Sequence, residues 1–255
     1  MIDINLIANT LHKAVKSANA TEQISLKHSI TLSQAYEIQH KEIALRHEEG
    51  EKLIGVKMGF TSEAKMLQMG VSDMIIGQLT NSMLIANNDK ISLGRFIHPR
   101  AEPEICFILS EDIEGELTVD EVKKKVSGIA AAIEIIDSRY ENFKFSLEDV
   151  VADNCSSAGF AIGEIMPIHT SLSDLKIDLL IDETIVESGS SNDILGDPWK
   201  ALSAATRLAE TYKIPLKKGM YVMAGAATSA HFISGHLSFS AEIQDLGQIG
   251  LAISN

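Results

Sequence analysis

The sequence has few basic residues and few cysteines, and it lacks any long uninterrupted apolar run. Its 255 residues carry 22 Lys and Arg against 35 Asp and Glu, which gives a formal net charge of −13. Proteins that bind the phosphate backbone of nucleic acids need a cationic surface, so this balance argues against that class. It does not exclude a small anionic substrate, because a metal ion and one or two local cations can outweigh a distant net charge.

Further absences bear on metal type and compartment. The two cysteines, Cys106 and Cys155, have neither the close spacing of a zinc site nor that of a CxxC pair. The start of the sequence does not show the basic and apolar regions of a signal peptide. No run approaches the roughly 18 apolar residues that a membrane-spanning helix needs. We therefore expect a cytoplasmic protein without nucleic-acid or membrane partners.

The remaining pattern is that of a globular protein, with 45% apolar and 22% charged residues. Residues 1–50 have helical periodicity, and from about residue 75 most segments have the pattern of strands. The predicted class is α+β. We expect a mainly helical region over 1–75, which includes a strand around Lys57, followed by a mixed β catalytic domain over 76–255. Helix starts are predicted at five residues with N-cap character: Thr31, Thr61, Thr118, Ser146 and Asp197.

A candidate metal site lies in the segment FIHPRAEPEICFIL. If its apolar part is a strand, Glu102 and Glu104 point to the same face, where two carboxylates repel each other. A divalent cation is the simplest partner, since Mg²⁺ prefers carboxylate oxygens. Glu134 is the one charged residue of the apolar run 130–136, and it would complete a site of three carboxylates. The alternative is a structural salt bridge between Glu134 and Arg139.

Lys57 is the candidate acid, base or charge-stabilising group. It shares a predicted strand face with two glycines, so there is room around it. A buried lysine loses its charge readily, and its pKa could approach neutrality beside a metal. The alternative is an exposed strand lysine. Arg139, Ser156 and Thr228 lie in polar clusters after apolar segments, which are either plain turns or groups that face a ligand.

Four segments resemble the fumarylacetoacetate hydrolase superfamily, and within it the 4-oxalocrotonate (2-oxo-3-hexenedioate) decarboxylases and their sister 2-hydroxypentadienoate hydratases. They are GVKMGFTSEAKMLQMGV, FIHPRAEPEICFIL, AIEIIDSRYENFKFSLEDVVADNCSS and LKKGMYVMAGAAT. The resemblance implies a helical N-terminal part followed by a mixed β-sandwich or roll that holds one Mg²⁺, or Mn²⁺. The family's metal ligands fall on Glu102, Glu104 and Glu134, its active-site lysine on Lys57, and a pocket serine of hydratase relatives on Ser156.

Ile75 favours the decarboxylase branch. The hydratase pattern has an acidic residue two positions before the glycine of a Pro-Asp-Phe-Gly-like stretch, and Ile75 takes that place here. The segment from Asp137 to Phe145 also resembles the decarboxylase version. Loss of an acid or base is costly for the addition of water, whereas decarboxylation can use a more apolar pocket. The candidate substrate-binding residues are Ser156, Arg139, Thr228 and Ile75.

The resemblance then implies decarboxylation of 2-oxo-3-hexenedioate, a small dicarboxylate 2-oxo acid, to 2-hydroxypenta-2,4-dienoate and CO₂. This reaction belongs to the meta-cleavage degradation of aromatic compounds. The alternatives are 2-hydroxypentadienoate hydratase activity and a mainly structural role as the partner subunit of that hydratase. A complex with the cognate hydratase is expected, and the sequence leaves self-association into a homo-oligomer open.

Overall fold

The computed structural model describes residues 2–62, 66, 73–168 and 171–254. Its helices are α1 (Ile4–Ser17), α2 (Leu32–Glu48), α3 (Val119–Val122), α4 (Leu147–Ala152) and α5 (Pro198–Tyr212). Capping boxes at Thr31, Thr118 and Ser146 and the Asp197 side chain open α2 to α5, so these four predicted starts are confirmed. The helix predicted after Thr61 lies outside the described residues.

The described residues form thirteen strands in two sheets. The strands are β1 (Leu53–Gly59), β2 (Ile75–Thr80), β3 (Leu84–Ile85), β4 (Lys90–Ser92), β5 (Arg100–Leu109), β6 (Val126–Ile136), β7 (Ser157–Ile162), β8 (Lys176–Ile181), β9 (Thr184–Ser190), β10 (Tyr221–Ala226), β11 (His231–Phe232), β12 (Ser238–Ile243) and β13 (Gly247–Ser254). The large sheet has the order β2-β1-β10-β5-β6-β7-β3, with β11 paired to β5. The small sheet has the order β4-β13-β12-β8-β9.

Both sheets are mixed, because β1–β10, β3–β7 and β4–β13 pair in parallel while their other neighbours pair antiparallel. Helices followed by mixed sheets confirm the predicted α+β class. The expected division after residue 75 falls at the first residue of β2, which is hydrogen-bonded to β1 in the large sheet. No helix among the described residues is both long and apolar enough to span a membrane.

The alternation of side chains along β5 separates the main core from the site. Strands β12 and β13 pack against β5 and β6, and Ile105 and Phe107 of β5 belong to this main core. The intervening residues Glu102, Glu104 and Cys106 point to the other face of the large sheet. On that face a smaller cluster of buried apolar residues lies beside the carboxylates: Leu79, Met83, Cys106, Ala132, Phe160 and Met223.

A buried ionic network joins α1 to α2. The His12 ring lies 3.2 Å from Glu42 through Nδ1 and 3.0 Å from Glu49 through Nε2. Arg46 Nε donates to Glu42 at 2.7 Å from the adjacent turn of α2. The hydrogen bond to Glu42 raises the pKa of His12 above 6.5, burial opposes this rise, and Glu49 adds to it. The protonated histidine therefore holds the two helices together.

Replacing His12 by Asn should lower the free energy of unfolding by about 1–2 kcal/mol at mildly acidic pH, because the charged hydrogen bond to buried Glu42 is lost. The folded-state pKa is raised, so this stabilisation is complete below pH 6.5 and is lost as the pH rises through the folded value. In urea unfolding, the difference from wild type should shrink as the pH rises. His28→Asn, at an exposed position, is the control. A difference independent of pH would contradict the assignment.

Candidate active site

Three glutamates meet on the face of the large sheet that lies opposite the main core. Glu102 lies directly opposite Glu134 in the register of β5 and β6, and Glu104 follows two residues along β5 on the same face. One carboxylate oxygen from each residue lies within 4.8 Å of the other two. Glu104 and Glu134 are fully buried and Glu102 nearly so. The strand pairing therefore produces the three-carboxylate site that the sequence predicts.

These carboxylates are short of partners. Glu104 Oε2 accepts a 2.7 Å hydrogen bond from the Gly225 N–H, but Glu104 Oε1 and Glu134 Oε1 are buried without a hydrogen-bond partner. Burial raises the pKa of Glu104 well above its ordinary value, and the charges of Glu134 and Glu102 raise it further. A hard divalent cation would satisfy the orphaned oxygens and cancel the repulsion, so the donor set fits such an ion.

Gly225 is a functional position that sequence reasoning missed. Its φ of +95° lies in the region that favours glycine, at an irregularity in the pairing of β10 with β5. A Cβ at this position would lie only 2.0 Å from Thr61 Oγ1. The absence of a side chain thus allows the close approach at which its N–H reaches Glu104.

Lys57 joins the carboxylates from β1. Its Nζ lies 2.9 Å from Glu134 Oε2 and donates to the Cys155 carbonyl at 3.1 Å. Strands β10 and β5 lie between β1 and β6, so the sheet must curl strongly for this contact to form. The alternative of an exposed strand lysine is wrong, since Lys57 is 3% exposed.

The facing carboxylates control the pKa of Lys57. Burial lowers its pKa, but the facing carboxylates, first Glu134 and then Glu102, outweigh burial and leave the pKa above its ordinary value. This direction holds for carboxylates with no cation between them, so a near-neutral Lys57 beside a metal stays a prediction. The proposed salt bridge from Glu134 to Arg139 is also wrong, because Lys57 is the cation beside Glu134.

Ser156 reaches the site through an unusual turn. Asn154, Cys155 and Ser156 have φ values of 49°, 53° and 59°, so three successive residues other than glycine adopt left-handed conformations. Asn154 fixes this turn to β2, because its side chain accepts from the Gln78 N–H at 2.7 Å and donates to the Gln78 carbonyl at 2.8 Å. The Ser156 Oγ is buried without a hydrogen-bond partner.

Arg139 is not brought to the other candidate residues. Its guanidinium donates to the Asp153 carboxylate and to the carbonyls of Asp137 and Ser157. Arg139 does not line the cavity beside the carboxylates, and its hydrogen bonds hold the turn that carries Ser156. Thr228 is buried and its Oγ1 donates to the Ser229 carbonyl at 3.1 Å. Ser229, rather than Thr228, lines the cavity beside the carboxylates.

A cavity of about 340 Å³ opens onto Lys57, Glu102 and Ser156. Ile75 lines it, as the sequence suggests, and a Cβ at Gly59 would lie 2.8 Å from the Ile75 side chain. The other lining residues are mainly apolar, with one cation among them: Gly59, Phe60, Arg100, Ile136, Phe143, Phe145, Val150, Cys155, Ser229 and Ala230. The period of two along β5 could have indicated Arg100, which precedes Glu102 on the same face. No local pattern indicates Phe143, which ends a short 3-10 helix, or Phe145, which follows it.

Comparison with known proteins identifies the family to which this fold belongs. The family model described as "Fumarylacetoacetate (FAA) hydrolase C-terminal" matches residues 52–253, which include all three glutamates and Lys57. The chain belongs to the fumarylacetoacetate hydrolase family. The superfamily resemblance seen in the sequence is thereby confirmed.

Relatives within the fumarylacetoacetate hydrolase family include decarboxylases and hydratases. The chain is 45% identical to a 4-oxalocrotonate decarboxylase of a Pseudomonas species, over 98% of this chain and 97% of the relative. It is 31% identical to a 2-hydroxyhexa-2,4-dienoate hydratase of Comamonas testosteroni, over 85% and 84%. The solved 4-oxalocrotonate decarboxylase from Pseudomonas putida G7, complexed with magnesium and adipate, superposes with a TM-score of 0.94 and 27% identity, over 98% and 97%.

Glu104→Gln tests whether the carboxylates form a cation site. In metal-free protein this variant should be about 1 kcal/mol more stable than wild type, because one of three mutually repelling buried carboxylates is removed. Added Mg²⁺ should raise the melting temperature of wild type, and the variant should need at least about tenfold more Mg²⁺ for the same rise.

The matched control is Glu242→Gln, which changes an exposed glutamate on β12. It should leave the response to Mg²⁺ unchanged. An identical Mg²⁺ titration of Glu104→Gln and wild type would remove Glu104 from the ligand set.

Proposed function

We propose that the chain catalyses the metal-dependent decarboxylation of 2-oxo-3-hexenedioate (4-oxalocrotonate) to 2-hydroxypenta-2,4-dienoate and CO₂, within the meta-cleavage degradation of aromatic compounds. The observation that carries this proposal is a three-carboxylate cluster with Lys57 at one end of a largely apolar cavity. The name of the 45% identical relative supports the same reaction.

The residues that would hold the cation are Glu102, Glu104 and Glu134, and the unpaired buried oxygens of Glu104 and Glu134 fit a hard divalent ion. Mg²⁺ is the ion we propose, with Mn²⁺ as the alternative. When bound, such an ion supplies Lewis-acid stabilisation of the negative charge that develops on the C2 oxygen of a 2-oxo acid. The magnesium complex of the P. putida G7 decarboxylase supports this choice.

Lys57 and Ser156 supply the hydrogen-bond donors at this end of the cavity. Lys57 Nζ lies beside Glu134 and donates to the Cys155 carbonyl, so it can hold a proton for the C2 oxygen as the dienol forms. Ser156 Oγ faces the same cavity without a partner, and it provides a neutral donor to the substrate oxygens. Both donors are fixed by the turn at residues 154–156, since Lys57 also binds the Cys155 carbonyl.

The apolar wall favours decarboxylation over hydration. Addition of water needs an acid or base on the reacting carbon atoms, and Ile75 lines the cavity where the hydratase pattern has an acid. Among the described lining residues, Glu102 is the one carboxylate, and it belongs to the cation site. An apolar surrounding also destabilises the charge of a leaving carboxylate.

A mainly structural role beside a hydratase is the second candidate. A subunit that only stabilised a partner would not need buried carboxylates without hydrogen-bond partners, which are costly to keep. We therefore favour an active decarboxylase whose unstable dienol product passes to its cognate hydratase.

The decisive assay supplies the purified chain and Mg²⁺ with either 2-oxo-3-hexenedioate or 2-hydroxypentadienoate. We expect CO₂ release from the first compound and no water addition to the second. A chelator should abolish the release, and Mg²⁺ should restore it. Turnover that survives complete metal removal would contradict the proposed metal role, and activity on the second compound alone would establish the hydratase alternative.

Lys57→Met removes the ammonium group but keeps an unbranched side chain. We expect kcat for CO₂ release to fall by at least about 100-fold with a smaller change in KM, because the charge acts on the developing oxyanion. The matched control is Lys176→Met, at a strand lysine that pairs with Asp178 outside the cavity. An effect of Lys57→Met on KM alone would mean that Lys57 only holds the substrate.

Ile75→Asp places a carboxylate in the apolar wall. It should reduce the rate of CO₂ release by at least about tenfold, because the added carboxylate repels the anionic substrate. Ile75→Leu should retain most activity, because it keeps an apolar side chain of the same volume. Equal rates for Ile75→Asp and wild type would show that the apolar character of this position does not matter.

A further inference from the structure

Arg100 is an uncompensated cation in the cavity. It begins β5 on the face of Glu102 and lines the cavity beside it. Arg100 is half-buried, its Nε is buried without a hydrogen-bond partner, and no carboxylate of the described residues forms an ion pair with its guanidinium. Leaving a buried charged donor unsatisfied costs more than a typical hydrogen bond returns. Arg100 therefore has donors to offer to a ligand that carries negative charge.

The neighbouring ring fixes how those donors are presented. The Arg100 Cζ lies 4.3 Å from the centroid of the Phe143 ring, which holds the planar guanidinium by a cation–π contact. A guanidinium presents its N–H groups in a flat fork that matches the two oxygens of a carboxylate. Lys57, the other cation of the cavity, differs because Glu134 already neutralises it.

We propose that Arg100 binds the substrate carboxylate that lies away from the three glutamates, and that it makes the site select dicarboxylates over monocarboxylates. This inference rests on the proposed function, in which the 2-oxo acid end of the substrate lies at the Glu102–Glu104–Glu134 cluster. A second carboxylate in this largely apolar cavity needs a cation, and among the described lining residues Arg100 is the cation that no carboxylate neutralises.

The contact discriminates substrate from product. The substrate has two carboxylates, and the distal one leaves as CO₂, so the dienol product cannot make the Arg100 contact. Because the contact exists in the ground state and is lost during the reaction, it contributes to substrate affinity rather than to acceleration. Product therefore binds more weakly than substrate and competes little with it.

The test compares two stable ligands by calorimetry on the Mg²⁺-loaded protein. 2-Oxoadipate has both carboxylates, and 2-oxohexanoate has the same chain without the distal one. Wild type should bind 2-oxoadipate about 10- to 100-fold more tightly, as expected for a charged hydrogen bond. Arg100→Gln should lose that preference while keeping its affinity for 2-oxohexanoate. Arg95→Gln is the matched control, because Arg95 lies over the Phe96 ring on the exposed surface.

The outcomes separate this inference from the function on which it rests. Equal binding of the two ligands by wild type would overturn it, and that comparison needs no variant. An equal loss of affinity for both ligands in Arg100→Gln would also overturn it, because Arg100 would then serve the carboxylate at the glutamate cluster. If neither ligand bound to wild type in a Mg²⁺-dependent manner, the proposed function would fail as well.

Discussion

Holding three carboxylates at one buried point is the constraint on which the rest of the site depends. Glu102, Glu104 and Glu134 repel one another within a few ångströms, and burial removes the water that would screen them. The fold supplies two compensating groups, the Lys57 ammonium beside Glu134 and the Gly225 N–H beside Glu104. These groups leave two carboxylate oxygens unsatisfied. The fold therefore tolerates the three carboxylates and leaves oxygens of Glu104 and Glu134 that can bind a cation.

The turn at Asn154–Ser156 supports that arrangement at a cost of its own. Left-handed residues other than glycine each cost roughly 1–3 kcal/mol, and here three follow one another. Asn154 offsets part of this by pairing with the Gln78 backbone as a strand would, and Arg139 holds the chain through Asp153. Arg139 therefore acts through the turn that carries Ser156 instead of touching the cavity. A rigid turn fixes both the carbonyl that binds Lys57 and the Ser156 hydroxyl.

Local patterns made part of this structure predictable. Caps such as Thr31 and Asp197 act within a few residues, and the period of two places Glu102 and Glu104 on one face without any knowledge of the fold. The partner of Glu134 was not predictable, because the contact with Lys57 depends on a sheet curled across two intervening strands. The raised pKa of Lys57 follows from that same contact. The segment that brings Phe143 over Arg100 has no periodic signal at all.

A three-carboxylate cluster beside a largely apolar cavity suits the proposed loss of CO₂. Decarboxylation moves a negative charge from the distal carboxylate to the C2 oxygen. In the proposed reaction it therefore moves toward Lys57 and the proposed cation, in a cavity whose other walls are mainly apolar. Stabilisation that grows along the reaction lowers the barrier. Arg100 opposes the shift, since it favours the charge at its starting point. In the proposed binding mode, the Arg100 guanidinium on the Phe143 ring therefore raises the affinity for the dicarboxylate but slows the loss of its distal carboxylate.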